Sequence, residues 1–246
     1  MTKPIASPPW TGNGKRIERK IRKALYEYEM VSNVKHLTVA LSGGKDSLTL
    51  LFMLKAISGR GFPPFQLSAA HIGGDFSCGA GVNTSYLADI CDQLEVPFVI
   101  KESNQELETL ECYSCSRERR KLLFEAAKDF GADTVAFGHH RDDNVQTLLM
   151  NLLHKAEFAG NMPIIHMKKY NTTIIRPMIF VTEEEIVCFA KHHQFMRIMC
   201  QCPVGQTSMR KKAEELVREI EDFFPDARHN LSRAALMYGS NKALNP

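Results

Sequence analysis

The stretch VALSGGKDSLTLLFML, residues 39–54, runs from an apolar strand through two glycines into an apolar helix. Ser42, Gly43, Gly44, Lys45, Asp46 and Ser47 occupy the hand-over, where backbone N–H groups and the positive end of a helix dipole converge on an anion. Glycine lets the backbone come close to it. The loop is not the G-x-x-x-x-G-K-S/T of kinases and GTPases, because Val39 stands five before Gly44 and Asp46 follows Lys45. A carboxylate beside bound phosphates suits Mg2+, the cation bridging it to the polyphosphate.

The chain has 7 cysteines, an odd number, which points to metal or redox use rather than a disulfide framework. Cys112 and Cys115 stand at C-x-x-C spacing in a loop before a basic helix, and Cys200 and Cys202 form a C-x-C far along the chain. Four thiolates in two pairs would close a structural Zn2+ site. Three would hold a [4Fe–4S] cluster with one iron open, and the spacings admit both. Cys91 and Cys188 lie in helix-like apolar patterns and read as small buried hydrophobes; they and Cys78 carry no chemistry. FGHHRDDNVQTLLMN, residues 137–151, follows a strand, so Gly138 falls at a strand end where a nucleotide docks. Asp142 and Asp143 cap the next helix. Capping explains one aspartate, and the pair points to metal or phosphate-water positioning.

SGGKDS is the signature of the PP-loop ATP pyrophosphatase superfamily, which this chain resembles. That resemblance implies cleavage of ATP between the α and β phosphates, with AMP made the leaving group on a substrate oxygen. In order, SGGKDS, CxxCSRxRR and GHHRDDxxQTxxxN resemble the tRNA 2-thiocytidine synthetase (TtcA-type) branch of the PP-loop tRNA thiolases, from about Lys15 to Arg210. The resemblance implies an ATP-dependent tRNA sulfurtransferase using ATP, Mg2+ and a [4Fe–4S] cluster. It would adenylate the C2 oxygen of a pyrimidine, cytidine first and uridine as the alternative, and replace it with sulfur. Cys112, Cys115 and one later cysteine are the implied cluster ligands. The branch carries C-x-x-C at the later site, so the third ligand here falls between Cys200 and Cys202. Cys202 is favoured, its CP context being similar to that in the related 2-thiouridine synthetases. The sulfur nucleophile is either hydrosulfide on the open iron or a persulfide on the spare cysteine of that pair.

By the same resemblance Asp46 and Asp143 fix Mg2+, Arg119 contacts the nucleotide or activated base, and His71 and Ile72 lie where the fold puts adenine. His139 and His140 read equally as helix-start packing, and Arg176 as a tRNA contact or a structural ion pair. The implied partners are tRNA and a sulfur donor, either sulfide or a persulfide derived from a cysteine desulfurase. Thiolases of this type are often homodimers. Two readings compete: a sulfur-independent adenylating ligase of the lysidine synthetase kind, and a zinc-stapled RNA-binding protein without turnover. The ligase has no reason to place C-x-x-C in this loop, and a brown iron centre would exclude the RNA-binding protein.

Positioning these residues requires alternating elements. HLTVALS, FQLSAAHI, VPFVIK and DTVAFG read as strands, with helices between them and TIIRPMI as one more short strand. The expected fold is α/β, a doubly wound parallel sheet with a C-terminal helical extension. Thr182 and Glu185 form a capping box opening TEEEIVCFAKHH. Residues 1–14 are expected to be a mobile tail, 15–199 the PP-loop domain with its basic first helix, and 200–246 the third-cysteine loop and helical extension. KRIERKIRK, from Lys15 to Lys23, should have a cationic face with Ile17 and Ile21 as its buried edge.

With 246 residues, 44% of them hydrophobic, the chain can bury a sizeable core. A net charge of +3 neither announces nor opposes a nucleic-acid partner. Its distribution matters more: KRIERKIRK, RERRK from Arg117 and MRKK from Met209 are the expected phosphate contacts. No apolar run reaches membrane-spanning length and the N-terminus has no signal-like apolar stretch, so a cytoplasmic setting is expected.

Overall fold

A computed structural model of the chain describes residues 6–74, 81–104, 112–194 and 209–239, the side chains of Cys112 and Tyr113 apart. Helix α1 (Gly12–Glu27) leads into β1 (His36–Ala40), α2 (Lys45–Ile57) and β2 (Gln66–Gly73). The alternation continues through α3 (Thr84–Gln93), β3 (Phe98–Glu102), α4 (Cys112–Asp129), β4 (Thr134–Ala136) and α5 (Arg141–Lys155). Then come β5 (Ile164–Met167), β6 (Thr172–Ile175), α6 (Glu183–His192), α7 (Met209–Phe223) and α8 (Ala227–Tyr238).

The six strands lie in the order β3-β2-β1-β4-β6-β5. All pair parallel except β5, which runs antiparallel to β6 on one edge. This is the expected doubly wound sheet, with one edge strand more than the sequence suggests. The order reverses between β1 and β4, where Val39 pairs with Ala136, and such a switch point leaves a crevice at the carboxyl ends of the strands.

Helix α2 is buried at every residue from Ser47 to Leu54, and a helix without a polar face belongs inside. It packs against β1 on one side and α1 and α6 on the other. On the opposite face of β2, Ala70 and Ile72 meet Leu123 and Ala126 of α4, as strand alternation requires. Ile17 and Ile21 are both buried, as their spacing predicts. Helices α7 and α8 pack on α5, with Val217 joining Val145 and Leu149.

Three expectations need correction. The second half of the tail is not mobile, because Ala6 and Trp10 are buried and the Trp10 ring stands edge-on to Phe189 at 5.4 Å. One large aromatic anchors a segment that is otherwise small and polar. The C-x-x-C is not in a loop: α4 begins at Cys112, so Cys115 sits in its first turn. Cys188 is exposed on α6; Cys91 is buried, and burial, with Asp92, pushes its thiol up to about 12. No helix of the described residues is long and apolar enough to cross a membrane.

The capping box at α6 is present, Thr182 Oγ1 accepting from Glu185 N at 3.1 Å and Glu185 Oε2 accepting from Thr182 N at 2.9 Å. Lys20 of α1 reaches the same carboxylate at 2.7 Å. Burial opposes the charge on Glu185, but Lys20 and the Thr182 N–H hold its carboxyl below the ordinary glutamate value. A carboxylate depressed in the folded state contributes stability that is complete above its unfolded pKa, about 4.3, and is lost as the pH falls through the folded value. Glu185→Gln is therefore expected to lower unfolding free energy by about 1 kcal/mol at neutral pH. In urea titrations the deficit should shrink below about pH 4.

Candidate active site

A cleft of about 400 Å³ opens at the carboxyl ends of β1 and β4. Ser42, Asp46 and Ser47 of the glycine loop face Cys115 and Arg119 of α4 across it, and Gly138 and Asp143 close it beyond β4. Ile72 lines it from β2. One cleft thus gathers most of the residues singled out in the sequence. Cys200, Cys202 and the side chain of Cys112 lie outside the described residues.

His71 is placed differently. Strand alternation turns Ala70 and Ile72 to the cleft and His71 away from it. Its Nδ1 lies 2.8 Å from the Leu41 carbonyl oxygen, and burial, with Arg119 adding to it, holds the ring below the ordinary histidine value. A neutral ring donating from Nδ1 braces the residue before Ser42.

The loop's two glycines have separate reasons. Gly43 has φ +84°, a conformation side chains rarely adopt. Gly44 caps α2 with φ −73°, and a Cβ there would meet only Ser42 Oγ, at 3.5 Å. The fold leaves that space for whatever approaches the backbone. Ser47 Oγ donates to the Gly44 carbonyl at 3.0 Å and fixes the turn. Gly138 answers to packing, because a Cβ there would lie 3.1 Å from Ser47 N. Lys45 turns off the cleft wall to Asp46, at 3.1 Å, and Glu183, at 3.2 Å. Burial pulls its pKa down, but those carboxylates carry it above the ordinary value, so it stays charged.

Asp46 and Asp143 meet around His140. His140 Nε2 lies 3.4 Å from Asp143 Oδ2 and 3.9 Å from Asp46 Oδ1, and its Nδ1 lies 3.6 Å from Asp142. Burial disfavours a charged ring there, yet these three carboxylates together raise its pKa. Asp143 reaches back to cap its own helix, accepting from His140 N at 3.0 Å, and its other oxygen accepts from Arg210 at 2.9 Å. Burial opposes its charge as well, but His140 and Arg210 keep the carboxyl below the ordinary aspartate value. Asp142 caps a different helix, accepting from Glu183 N of α6 at 2.8 Å.

Two buried polar atoms of cleft residues carry no hydrogen bond: the acceptor Asp46 Oδ1 and the donor Arg119 Nε. Lys45 Nζ already stands 3.1 Å from the first as an ion pair, and an anion beside the other would satisfy it. Among the described residues no three His, Cys, Asp or Glu side chains gather as a metal-binding group. Mg2+ needs only one or two carboxylates when phosphates and water complete its shell.

Sequence reasoning missed two features and left Arg176 between two roles. Arg120 and Arg210, counted with surface basic runs, line the cleft. Arg176 is buried, donating to His139 Nδ1 at 3.3 Å and to the Met162 carbonyl at 2.6 Å; burial, then Arg120, lowers its pKa to about 10. Its role is structural. Arg228 of α8, unmarked by any motif, bonds Glu214 and Glu221 and reaches Asp142 at 3.2 Å.

A glycine turn between a parallel strand and a buried helix, facing paired aspartates at a switch point, defines a nucleotide-binding α/β domain. The PP-loop domain family model matches residues 13–198. The tRNA-cytidine(32) 2-sulfurtransferase of Citrifermentans bemidjiense is 31% identical over 234 residues, 89% of each chain. Its counterpart from Xanthomonas euvesicatoria pv. vesicatoria is 34% identical, covering 90% of this chain and 74% of its own. The chain belongs to the PP-loop family that includes these tRNA-cytidine(32) 2-sulfurtransferases. Among solved structures, the U34-tRNA thiolase NcsA from Methanococcus maripaludis with its [4Fe–4S] cluster superposes with a TM-score of 0.71 at 22% identity, over 90% of this chain and 76% of its own. At that identity the likeness shows the fold.

Proposed function

We propose that this protein is an ATP-dependent tRNA sulfurtransferase that converts a tRNA cytidine to 2-thiocytidine. The observation that carries the reading is a buried thiol, Cys115, on the wall of the cleft that holds the glycine loop. An enzyme that only adenylates has no use for a thiol there. Kinship with the tRNA-cytidine(32) 2-sulfurtransferases supports the substrate.

In the proposed reaction the C2 oxygen of the base attacks the α-phosphorus of ATP, forming an O–P bond as the bond to pyrophosphate breaks. Sulfur at the sulfide level, HS−, then adds at C2 and loses its proton, and the C–O bond breaks to release AMP; a persulfide donor reaches that level with two electrons from a thiol reductant. The N–H groups of the Gly43–Gly44 turn and the start of α2 would bind the phosphates and stabilise charge as it develops. Arg119, Arg120 and Arg210 supply cations from the facing walls. Asp46 would hold Mg2+ on turning from Lys45, and Asp143 would join it on releasing Arg210. Mg2+ supplies Lewis-acid stabilisation of the polyphosphate. Cys115, Cys112 and Cys202, or Cys200 in its place, would hold the cluster. The cluster supplies a Lewis-acidic iron site for incoming sulfur. His140 keeps the two aspartates oriented. The reading also calls for a sulfur donor, as persulfide or sulfide, and carries a homodimer and a cytoplasmic setting with it.

The test is mass spectrometry of tRNA nucleosides from cells lacking the gene. Loss of 2-thiocytidine is expected, and persistence of every thiolated nucleoside would overturn the reading. A cheaper pair of variants tests the cradle. Gly44→Ala should cost at most about 1 kcal/mol of stability while weakening ATP binding in calorimetry. Gly138→Ala should lose both, with about 1–3 kcal/mol lost from pushing on the start of α2.

A further inference from the structure

We propose that the exposed face of α1 is a docking track for a single-stranded segment of tRNA, and that Tyr26 is the platform on which one unpaired base stacks. The inference rests on the tRNA-thiolation reading.

Arg16, Arg19, Lys23 and Tyr26 follow one another at spacings of three, four and three, which sets them on one helix face. All four are exposed, Tyr26 to 80%. The face opposite carries Ile17, Ile21, Ala24 and Leu25 into the core. Of the helix's other cations, Lys20 is engaged on Glu185 and Arg22 on Glu18 at 2.6 Å. Lys15, Arg16 and Arg19 have no acidic partner among the described residues, and Lys23 meets Glu27 only at 3.7 Å. This leaves a line of positive charge ending on a bare aromatic ring, for which no ring contact or side-chain hydrogen bond is found among the described residues.

Helix α1 is held against the start of α6 at both its ends. Asn13 donates to the Glu185 carbonyl, and Tyr28, past the other end of α1, stacks on Phe180 with ring centroids 6.0 Å apart. Lys23 Nζ also lies over Phe180, at 4.7 Å. Phe180 is three residues from Glu183, which holds Lys45. Helix α1 therefore lies along the segment that leads into α6, whose Glu183 pairs with Lys45. Cations spaced along a helix suit phosphates, and a ring at their end suits a base that is already unpaired. A duplex would offer the phosphates without the base.

The test is the affinity of the full chain for tRNA and for a fully paired RNA, measured by anisotropy between about 50 and 200 mM salt. Tyr26→Ala is expected to weaken tRNA binding about 5- to 100-fold with the salt slope unchanged. Tyr26→Phe should stay within about twofold of wild type, since the ring face is retained. Arg19→Gln should lower the slope by about 0.7. The paired RNA should not respond to Tyr26→Ala. Equal tRNA affinity for Tyr26→Ala and wild type, or equal losses for Tyr26→Ala and Tyr26→Phe, would overturn the platform and leave the thiolation reading standing. Failure of the wild type to bind tRNA would overturn the reading itself, and the track with it.

Discussion

Cys115→Ala is expected to reduce tRNA thiolation by more than about 100-fold, beyond what loss of an outer-shell partner of a metal costs. It should also remove the brown colour of anaerobically prepared protein while leaving ATP binding in place. The reasoning starts from position. Cys115 is 6% exposed, sits one helical turn before Arg119, and faces the glycine loop across the cleft. Were it a packing residue, alanine would cost roughly 1 kcal/mol of stability and change neither colour nor chemistry. Cys115→Ser keeps the shape but offers a harder ligand, poorly matched to an iron–sulfur cluster, so it should fail in the same way. Cys91→Ala is the control, because that thiol is buried away from the cleft and should leave the spectrum untouched.

Arg228→Met should be the most destabilising single change of the charged residues. The guanidinium donates to Glu214 at 2.9 Å through two nitrogens, to Glu221 at 2.9 Å, and to Asp142 at 3.2 Å. Removing it takes from three converging carboxylates the one cation they share, leaving Arg218 on Glu214 and Arg141 on Asp142, a loss of about 3 kcal/mol in denaturant titrations. Lysine carries one compact charge where a planar fork spans three partners, so Arg228→Lys should recover only part of it. Burial raises and Arg228 lowers the pKa of Glu214, while at Asp142 burial is outweighed by His140, the Glu183 N–H and Arg141; both end below their ordinary values. Stability from such depressed carboxylates is complete above about pH 4 and fades below it in the wild type. In the variant the freed carboxylates protonate more readily. The gap between the two proteins should therefore narrow in acid, and a gap constant with pH would show that Arg228 acts through packing.

The legible parts of this molecule were those that local chemistry writes into neighbouring residues. The strand, glycine turn and helix around Ser42–Ser47 report themselves by pattern, as does the Thr182–Glu185 box. The alternation of elements carried the sheet. Other features depend on residues far apart in the chain. Arg228 and Asp142 are 86 positions apart, and no spacing rule connects them. Strand β5 was missed because four residues on an edge, half of them exposed, have too little buried pattern to mark them. The basic run hid Arg120 because a cationic sequence does not say which arginine turns inward; Arg120 lines the cleft beside Arg119 while Arg117 and Lys121 stay exposed. His71 and Ile72 were expected beside adenine through their backbone; the side chain of Ile72 lines the cleft and pleating turns that of His71 the other way, to Leu41.

Asp142 and Asp143 are adjacent letters with unrelated duties. Asp142 fastens the start of α6 and anchors a strut from α8, whereas Asp143 lines the cleft and caps its own helix through a bond that an amide oxygen can still accept. A mutational scan that scores abundance and turnover separately should split this dipeptide, with amides at 142 thinning the protein pool and amides at 143 leaving a full pool of inert molecules. A single backbone step would then divide a heritable folding lesion from a purely enzymatic one.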